Sequence, residues 1–210
     1  MTTHDVKQRK SMQGIYAQAL EAWVRSLLAD VVPSLSAVGV PEGEVQPLPA
    51  VGIEWGRTEA LDQEITHVAT LESGRQVWRI FNEEAAFWFA FRCVGYDDAD
   101  AVAAEFVARA HYDATTKNES GTRTTVLTLK TDGAGEYQGR IYIEGDREPL
   151  VDERSQTDNE FTVRVPAVAV YPVIWVQSAD VGGPGIMYVQ LSINGTIYRI
   201  PGAPYPDDEA

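Results

Sequence analysis

Residues 77–94 of this 210-residue chain read VWRIFNEEAAFWFAFRCV, and this stretch decides the fold class. Two runs rich in aromatic and branched residues, 77–81 and 85–94, flank the polar triplet Asn82-Glu83-Glu84, a pattern that predicts a β-hairpin. Alternation in the second run sets two faces, with Phe87, Phe89, Phe91 and Cys93 on one and Trp88, Ala90, Arg92 and Val94 on the other. Both faces are largely apolar, so we expect this strand to be covered on both sides, and another subunit could supply part of that cover.

Two amphipathic helices are predicted on either side of this stretch. The first, over about 11–30, follows from apolar or small residues at three- and four-residue steps, namely Ile15, Ala19, Ala22, Trp23, Ser26 and Leu27. Pro33 accounts for its end, because the residue before a proline disfavours helical geometry. The second helix is predicted from 97 to 110, ending near Tyr112, because the acids after Gly95-Tyr96 suit a helix N-terminus and an Ala-rich apolar face follows.

The other predicted elements are short strands. Alternating or β-branched residues predict strands at 51–55, 126–129, 140–144 and 161–176, the last with a break at Pro172. Asn194-Gly195 is the strongest hairpin signal and joins strands at 186–193 and 196–200. The order predicts an α+β fold, a mainly antiparallel β-sheet with two packed α-helices plus a C-terminal β-hairpin extension.

Composition shifts divide the chain into four expected segments. They are a flexible polar N-terminal arm (1–10), the α+β domain (11–178), the C-terminal hairpin extension (179–203) and an acidic, Pro-rich tail (204–210). Within the domain, four prolines between 33 and 52 predict an extended connector.

Charge and composition exclude several classes of function. The formal net charge is −14 and the sequence pI is near 4.5, which argues against a general nucleic-acid binder and against docking on anionic membranes. The first ten residues lack the apolar core of a secretory signal, and no apolar run is long enough to span a bilayer. The single cysteine excludes an intrachain disulfide.

The sequence holds no recognisable catalytic constellation. No two of His4, His67 and His111 stand at metal-ligand spacing, and Cys93 in its apolar strand indicates a buried small hydrophobe. Nucleophile-elbow, phosphate-loop and dinucleotide motifs are missing from the sequence. We therefore predict that the protein is not an enzyme and needs no cofactor and no metal.

The order of elements resembles that of the tail terminator proteins of tailed bacteriophages, also called tail completion or neck proteins. The matching features are the helix at 11–30, the Pro-rich connector, the aromatic strand running into Gly95-Tyr96, the Ala-rich helix at 97–110, and FTVRV at 161–165 leading to VIWV at 173–176. The likeness covers about residues 11–178 and is one of element order and residue type. The hairpin at 186–200 departs from the compact members of that family.

The resemblance implies a structural virion protein. It would form a homohexameric ring at the head-proximal end of a tail tube, end tube polymerisation and join the tail to the head connector. The implied partners are other copies of the chain, the tail tube protein, the head-tail connector or stopper protein, and genome DNA that passes through the lumen without specific binding, with no membrane involved. The implied location is the tail or neck of the virion, and the host cytoplasm during assembly. Six copies at −14 each carry −84, and acids lining a channel would repel DNA phosphates.

Two sets of candidate residues follow from this implied role. The subunit-interface candidates are Phe87, Trp88, Phe89 and Phe91. The lumen-facing acid candidates are Glu83, Glu84, Glu144, Asp146, Glu148, Asp152 and Glu153, for which a solvated outer surface is at least as good an interpretation. The alternative function is a monomeric β-rich carbohydrate- or protein-binding module, suggested by five tryptophans and nine tyrosines. A small hydrolase is a third class, for which the sequence shows no nucleophile constellation.

Overall fold

The computed structural model describes residues 12–37, 47–61, 66–70, 76–118, 123–131, 135–150, 160–177, 184–185 and 190–198. Two helices, α1 (Met12–Leu27) and α2 (Tyr96–Lys117), lie beside a sheet to which eleven strands are assigned among these residues. The two helices and the large sheet confirm the α+β class. The predicted arm at 1–10 and the predicted tail at 204–210 lie outside the described residues.

The strands in chain order are β1 (Ser36–Ala37), β2 (Ala50–Ala60), β3 (Thr66–Thr70), β4 (Gln76–Cys93), β5 (Thr125–Thr131), β6 (Gly135–Ile143), β7 (Glu148–Leu150), β8 (Phe161–Gln177), β9 (Pro184–Gly185), β10 (Gln190–Ile193) and β11 (Thr196–Ile197). Their spatial order is β1-β2-β4-β8-β6-β5-β10-β11, with β3 also beside β4, and β7 and β9 beside β8. The sheet is mixed, because β1 runs parallel to β2 whereas the other pairings between described strands are antiparallel.

Strand β4 is one continuous strand of 18 residues, so the hairpin predicted across Asn82-Glu83-Glu84 is wrong. The triplet pairs with residues 170–172 of β8 on one side, and Glu83 and Glu84 also pair with the end of β2 on the other. Tight hairpin turns favour residues that tolerate positive φ, glycine above all. This triplet contains no glycine, and its partner strands β2 and β8 hold it in an extended conformation. The predicted break at Pro172 is also wrong, because β8 runs through that residue.

Both helices pack on the same face of the sheet. The Trp23 ring of α1 and the Phe106 ring of α2 meet at 5.7 Å, and Phe106 lies 4.6 Å from Phe89 of β4. Helix α1 lies within the predicted range, whereas α2 runs beyond the predicted end near Tyr112. It does so because its buried face continues through Ala114.

The turn at Asn194-Gly195 confirms the strongest hairpin prediction. Both residues have positive φ, 46° and 78°, as a two-residue hairpin loop requires. Strand β10 also pairs with β5 and buries Leu191 and Ile193 in the common core. The described part of this hairpin is therefore integrated in the main sheet and is not an extension appended to it.

Candidate functional site

The four predicted interface aromatics lie on opposite faces of β4. Phe87, Phe89 and Phe91 are 1%, 0% and 0% exposed and belong to the core beneath the helices. Trp88 points to the opposite face and is partly exposed. The three phenylalanines are therefore core residues of a single chain. Of the four candidates, Trp88 is the one placed to contact another molecule.

The face that carries Trp88 is largely apolar in the middle of the sheet. The register places Ala86 and Trp88 of β4 opposite Val168 and Pro166 of β8, and Tyr142 of β6 lies on the other side of Val168. Directly opposite residues of paired strands share a face. We call this surface the outer face, defined by Ala86, Trp88, Tyr142, Pro166, Val168 and Val170. The rings and buried residues of α1 and α2 lie against the other face, so neither helix covers it.

An ion-pair network borders one end of the outer face. The Glu54 carboxylate forms ion pairs with Arg164 and Arg92, and it accepts a hydrogen bond from Arg92 at 3.5 Å. Arg92 also lies 3.7 Å from Glu160. The Arg164 guanidinium stands 5.7 Å from the centre of the Trp88 ring, within cation–π distance. The network holds two bases and two acids and is electrically neutral.

The bulge in β2 makes room for Trp88. A β carbon at Gly56 would lie 2.8 Å from the Trp88 ring, so this ring rests directly on the glycine backbone. The register of β2 against β4 shifts between Trp55 and Thr58, around this glycine. Gly56 and Arg164 together fix the Trp88 side chain at the surface.

The predicted lumen acids do not form one cluster. Glu84 is exposed on the outer face, opposite Val170. Glu83 is half-buried on the helix side. The burial of the Tyr171 hydroxyl, and to a smaller extent the charge of Glu83, raise the pKa of Tyr171. Glu144, Asp146 and Glu148 are exposed at the far end of β6 and the start of β7. Glu148 pairs with Arg164 of β8, whereas Glu84 pairs with Val170 of the same strand. These two positions on β8 are six residues apart, which is about 20 Å along the strand. Asp152 and Glu153 lie outside the described residues.

The histidines and the cysteine show no reactive arrangement within the described residues. Cys93 is 5% exposed, which agrees with its interpretation as a buried small hydrophobe. Burial, with a smaller contribution from the Asp98 charge, raises the pKa of its thiol to about 11. The His67 ring packs against Trp78 at 4.9 Å, and His111 contacts the carbonyl oxygen of Ile143. In the part of the chain that the structure describes, no three His, Cys, Asp or Glu side chains are grouped to hold a metal ion.

An apolar cavity of about 320 Å³ lies where β4 ends and α2 begins. We call it the β4-end cavity, and its lining residues are Val32, Leu48, Pro49, Cys93, Val94, Asp98, Ala101 and Val102. Val94 is 63% exposed, so the cavity opens onto an apolar rim. Asp97 and Asp98 are exposed in the first turn of α2 and give this end of the molecule a negative charge.

A buried polar cluster around Asp113 was missed by the sequence analysis. Its carboxylate, 7% exposed, accepts hydrogen bonds from Trp23 Nε1 at 3.2 Å and Asn194 Nδ2 at 2.8 Å, and Lys117 Nζ lies 2.7 Å away. It therefore joins both helices to the C-terminal hairpin. The sequence did hold a signal, because Asp113 follows Phe106 and Ala110 on the apolar face of α2.

Glu21 of α1 makes the stability of the fold depend on pH. Its carboxylate accepts a hydrogen bond from the backbone N–H of Ile53, and burial raises its pKa to about 7 against the weaker opposing effects of Arg25 and that hydrogen bond. The raised pKa means that the folded state binds more protons than the unfolded chain above pH 4.5. Stability therefore falls as pH rises from there through 7.

We expect Glu21→Gln to remove this loss, because an amide keeps the acceptor oxygen without the charge. Urea unfolding at pH 5 and pH 8 checks it. The variant is expected to exceed the wild type at pH 8 by about 1 kcal/mol, a value reduced for solvent screening, and to show a smaller difference at pH 5. Equal pH dependence in both proteins would contradict this assignment.

The comparisons with known proteins add no family. No protein-family model matches the sequence, and no curated protein matches it at a significant level. Neither of the two described helices combines the length and the apolar character that crossing a membrane would demand.

Proposed function

We propose that this chain is a structural protein of a phage tail. It forms a ring at the head-proximal end of the tail tube, ends tube polymerisation and joins the tail to the head connector. The observation that carries the proposal is the order and packing of the elements. A first helix and a Pro-rich connector lead into a strand beside β4. Strand β4 runs directly into an Ala-rich second helix, and both helices lie on one face of the sheet.

The outer face and the surface charge also support a ring. A ring subunit needs surfaces that other copies can bury, and the outer face is an apolar sheet surface that neither helix covers. The exposed acids Glu144 and Asp146 are available to face a lumen. In a chain of net charge −14, such acids would repel DNA phosphates and let the genome pass without binding.

The placement of the tryptophans gives little support to the alternative of a carbohydrate-binding module. Stacking on a sugar needs a freely exposed ring face, yet of the four tryptophans with described side chains Trp23 is buried and the other three are only partly exposed. Trp23 is in the core, Trp55 packs against Phe87 and Tyr171, and Trp88 rests on Gly56.

The test combines native mass with tube binding. The purified chain is mixed with tubes assembled from the tail tube protein encoded nearest to it, and the products are examined by light scattering and negative-stain microscopy. We expect six-fold rings with a central hole at one end of each tube, and shorter tubes when the chain is added during polymerisation. A chain that neither forms rings nor binds tube ends would overturn the proposal. A monomer that binds glycans in a parallel assay would support the alternative.

A further inference from the structure

We infer that the outer face binds a second copy of this chain, at that copy's β4-end cavity. The inference deepens the proposed function and rests on it, since it names the two surfaces through which the ring would close. A closed ring needs two different surfaces on each subunit, because each copy meets the next head to tail. The described residues offer two apolar surfaces of this kind, and they lie on separate parts of the molecule.

The outer face has the size of a subunit contact. Together with its charged rim, it crosses β2, β4, β8 and β6 and follows β4 for nine residues, from Glu84 to Arg92. At ordinary strand spacing this is roughly 30 Å by 19 Å, or roughly 600 Å². A standard stable interface buries roughly 800 Å² on each partner, so the patch and its rim approach what such a contact requires.

Charge indicates that the partner is another copy of the same acidic chain. Four arginines and five glutamates surround the outer face, so its local net charge is −1, whereas the whole chain has a net charge of −14. These residues are Arg57, Arg92, Arg140, Arg164, Glu54, Glu59, Glu84, Glu148 and Glu160. Two copies repel each other least where one of them presents this nearly balanced face. A strongly basic partner would instead bind the acidic remainder of the surface.

The β4-end cavity suits the rim of the outer face. Its apolar lining and the exposed Val94 can take an apolar side chain such as Tyr142, which is 46% exposed. Asp97 and Asp98 beside the cavity are exposed, as are Arg57 and Arg140 at the rim of the outer face. Opposite charges at the edges of an interface fix its register and suppress other orientations.

The experiment blocks each surface separately with the same chemical change. Val168→Glu places a carboxylate in the outer face, and Val94→Glu places one at the rim of the cavity. Each is expected to weaken self-association by roughly 100-fold or more, because a charge buried without a partner at the centre of an interface is costly. Tyr112→Glu, at a side chain 72% exposed on α2 and outside both surfaces, is the matched control and should associate like the wild type. Thermal unfolding verifies that all three variants fold.

Mixing the two blocked variants gives the decisive result. Val168→Glu keeps an intact cavity and Val94→Glu keeps an intact outer face, so a head-to-tail contact predicts two monomers that form a dimer, and nothing larger, only when mixed. Sedimentation velocity measures this in solution, and occupancy of tube ends by each variant measures it where rings close only on a tube.

A Val168→Glu protein that still forms rings or caps tubes like the wild type overturns the inference and leaves the proposed function standing. A Val94→Glu protein that associates normally while Val168→Glu does not also overturns it, in favour of a symmetric contact between outer faces. A wild-type chain that neither associates nor binds tubes overturns the proposed function itself.

Discussion

Replacing Phe106 with alanine is expected to lower the free energy of unfolding by about 3–5 kcal/mol. Phe106 is fully buried, and its ring lies 4.6 Å from Phe89, 5.3 Å from Phe91 and 5.7 Å from Trp23. It therefore fills the space where α1, α2 and β4 meet. Truncation removes its buried area and leaves a cavity that three large rings from different elements cannot close, which places the cost in the upper range for core substitutions.

The effect of Phe106→Ala can be measured by urea and thermal unfolding. For a chain of this size, the loss corresponds to a decrease in Tm of roughly 6–20 °C. Tyr112→Ala is the control, because Tyr112 lies six residues further along the same helix and is 72% exposed. That variant is expected to stay within about 0.5 kcal/mol of the wild type. A loss below 1 kcal/mol for Phe106→Ala would mean that the two helices do not share one core with β4.

Replacing Asn194 with alanine is expected to cost about 3–4 kcal/mol, although the residue stands in a turn. Its side chain is 5% exposed, donates to Asp113 at 2.8 Å and accepts from the backbone N–H of Val126 at 2.9 Å. Alanine loses both hydrogen bonds and leaves buried polar groups without partners. It must also keep a φ of +46°, which an alanine adopts at a cost of about 1 kcal/mol or more.

Asn194→Gly separates the two contributions to that cost. Glycine adopts positive φ freely but also lacks the side chain, so this variant should be less destabilised than Asn194→Ala by about 1 kcal/mol. The free energy of unfolding in urea measures both. Two variants with wild-type stability would show that the hairpin is not fastened to α2 through Asp113.

Elements defined by local pattern could be predicted from the sequence, and elements defined by distant partners could not. The apolar spacing from Ile15 to Leu27 and the pair Asn194-Gly195 carry their own geometry, and the structure has a helix and a turn there. The triplet Asn82-Glu83-Glu84 is polar and so resembles a turn. It is extended because β8 lies beside it, a strand more than 80 residues later in the chain.

The candidate site shows the same limit. Alternation correctly separates Trp88 from Phe87, Phe89 and Phe91, but it does not tell which face the helices cover. Both faces of β4 are apolar in sequence, since Ala86, Trp88 and Ala90 alternate with the phenylalanines. The answer depends on the side of the sheet from which α1 and α2 approach, which is a property of the connections. The outer face became identifiable only when the register placed Val168 and Pro166 beside Trp88.

The pairing of β4 with β8 also sets the order in which the chain can fold. The paired residues lie between 68 and 101 positions apart, from Cys93 with Phe161 to Gln76 with Gln177. Contacts between such distant residues form slowly, because closing the long intervening loop costs conformational entropy before the pairing compensates for it. On the ribosome, β8 begins 68 residues after β4 ends, from Cys93 to Phe161, and until then the aromatic side chains of β4 lack their central partner strand. During synthesis this strand is therefore the segment most exposed to aggregation, and chaperone demand should be determined by the arrival of β8.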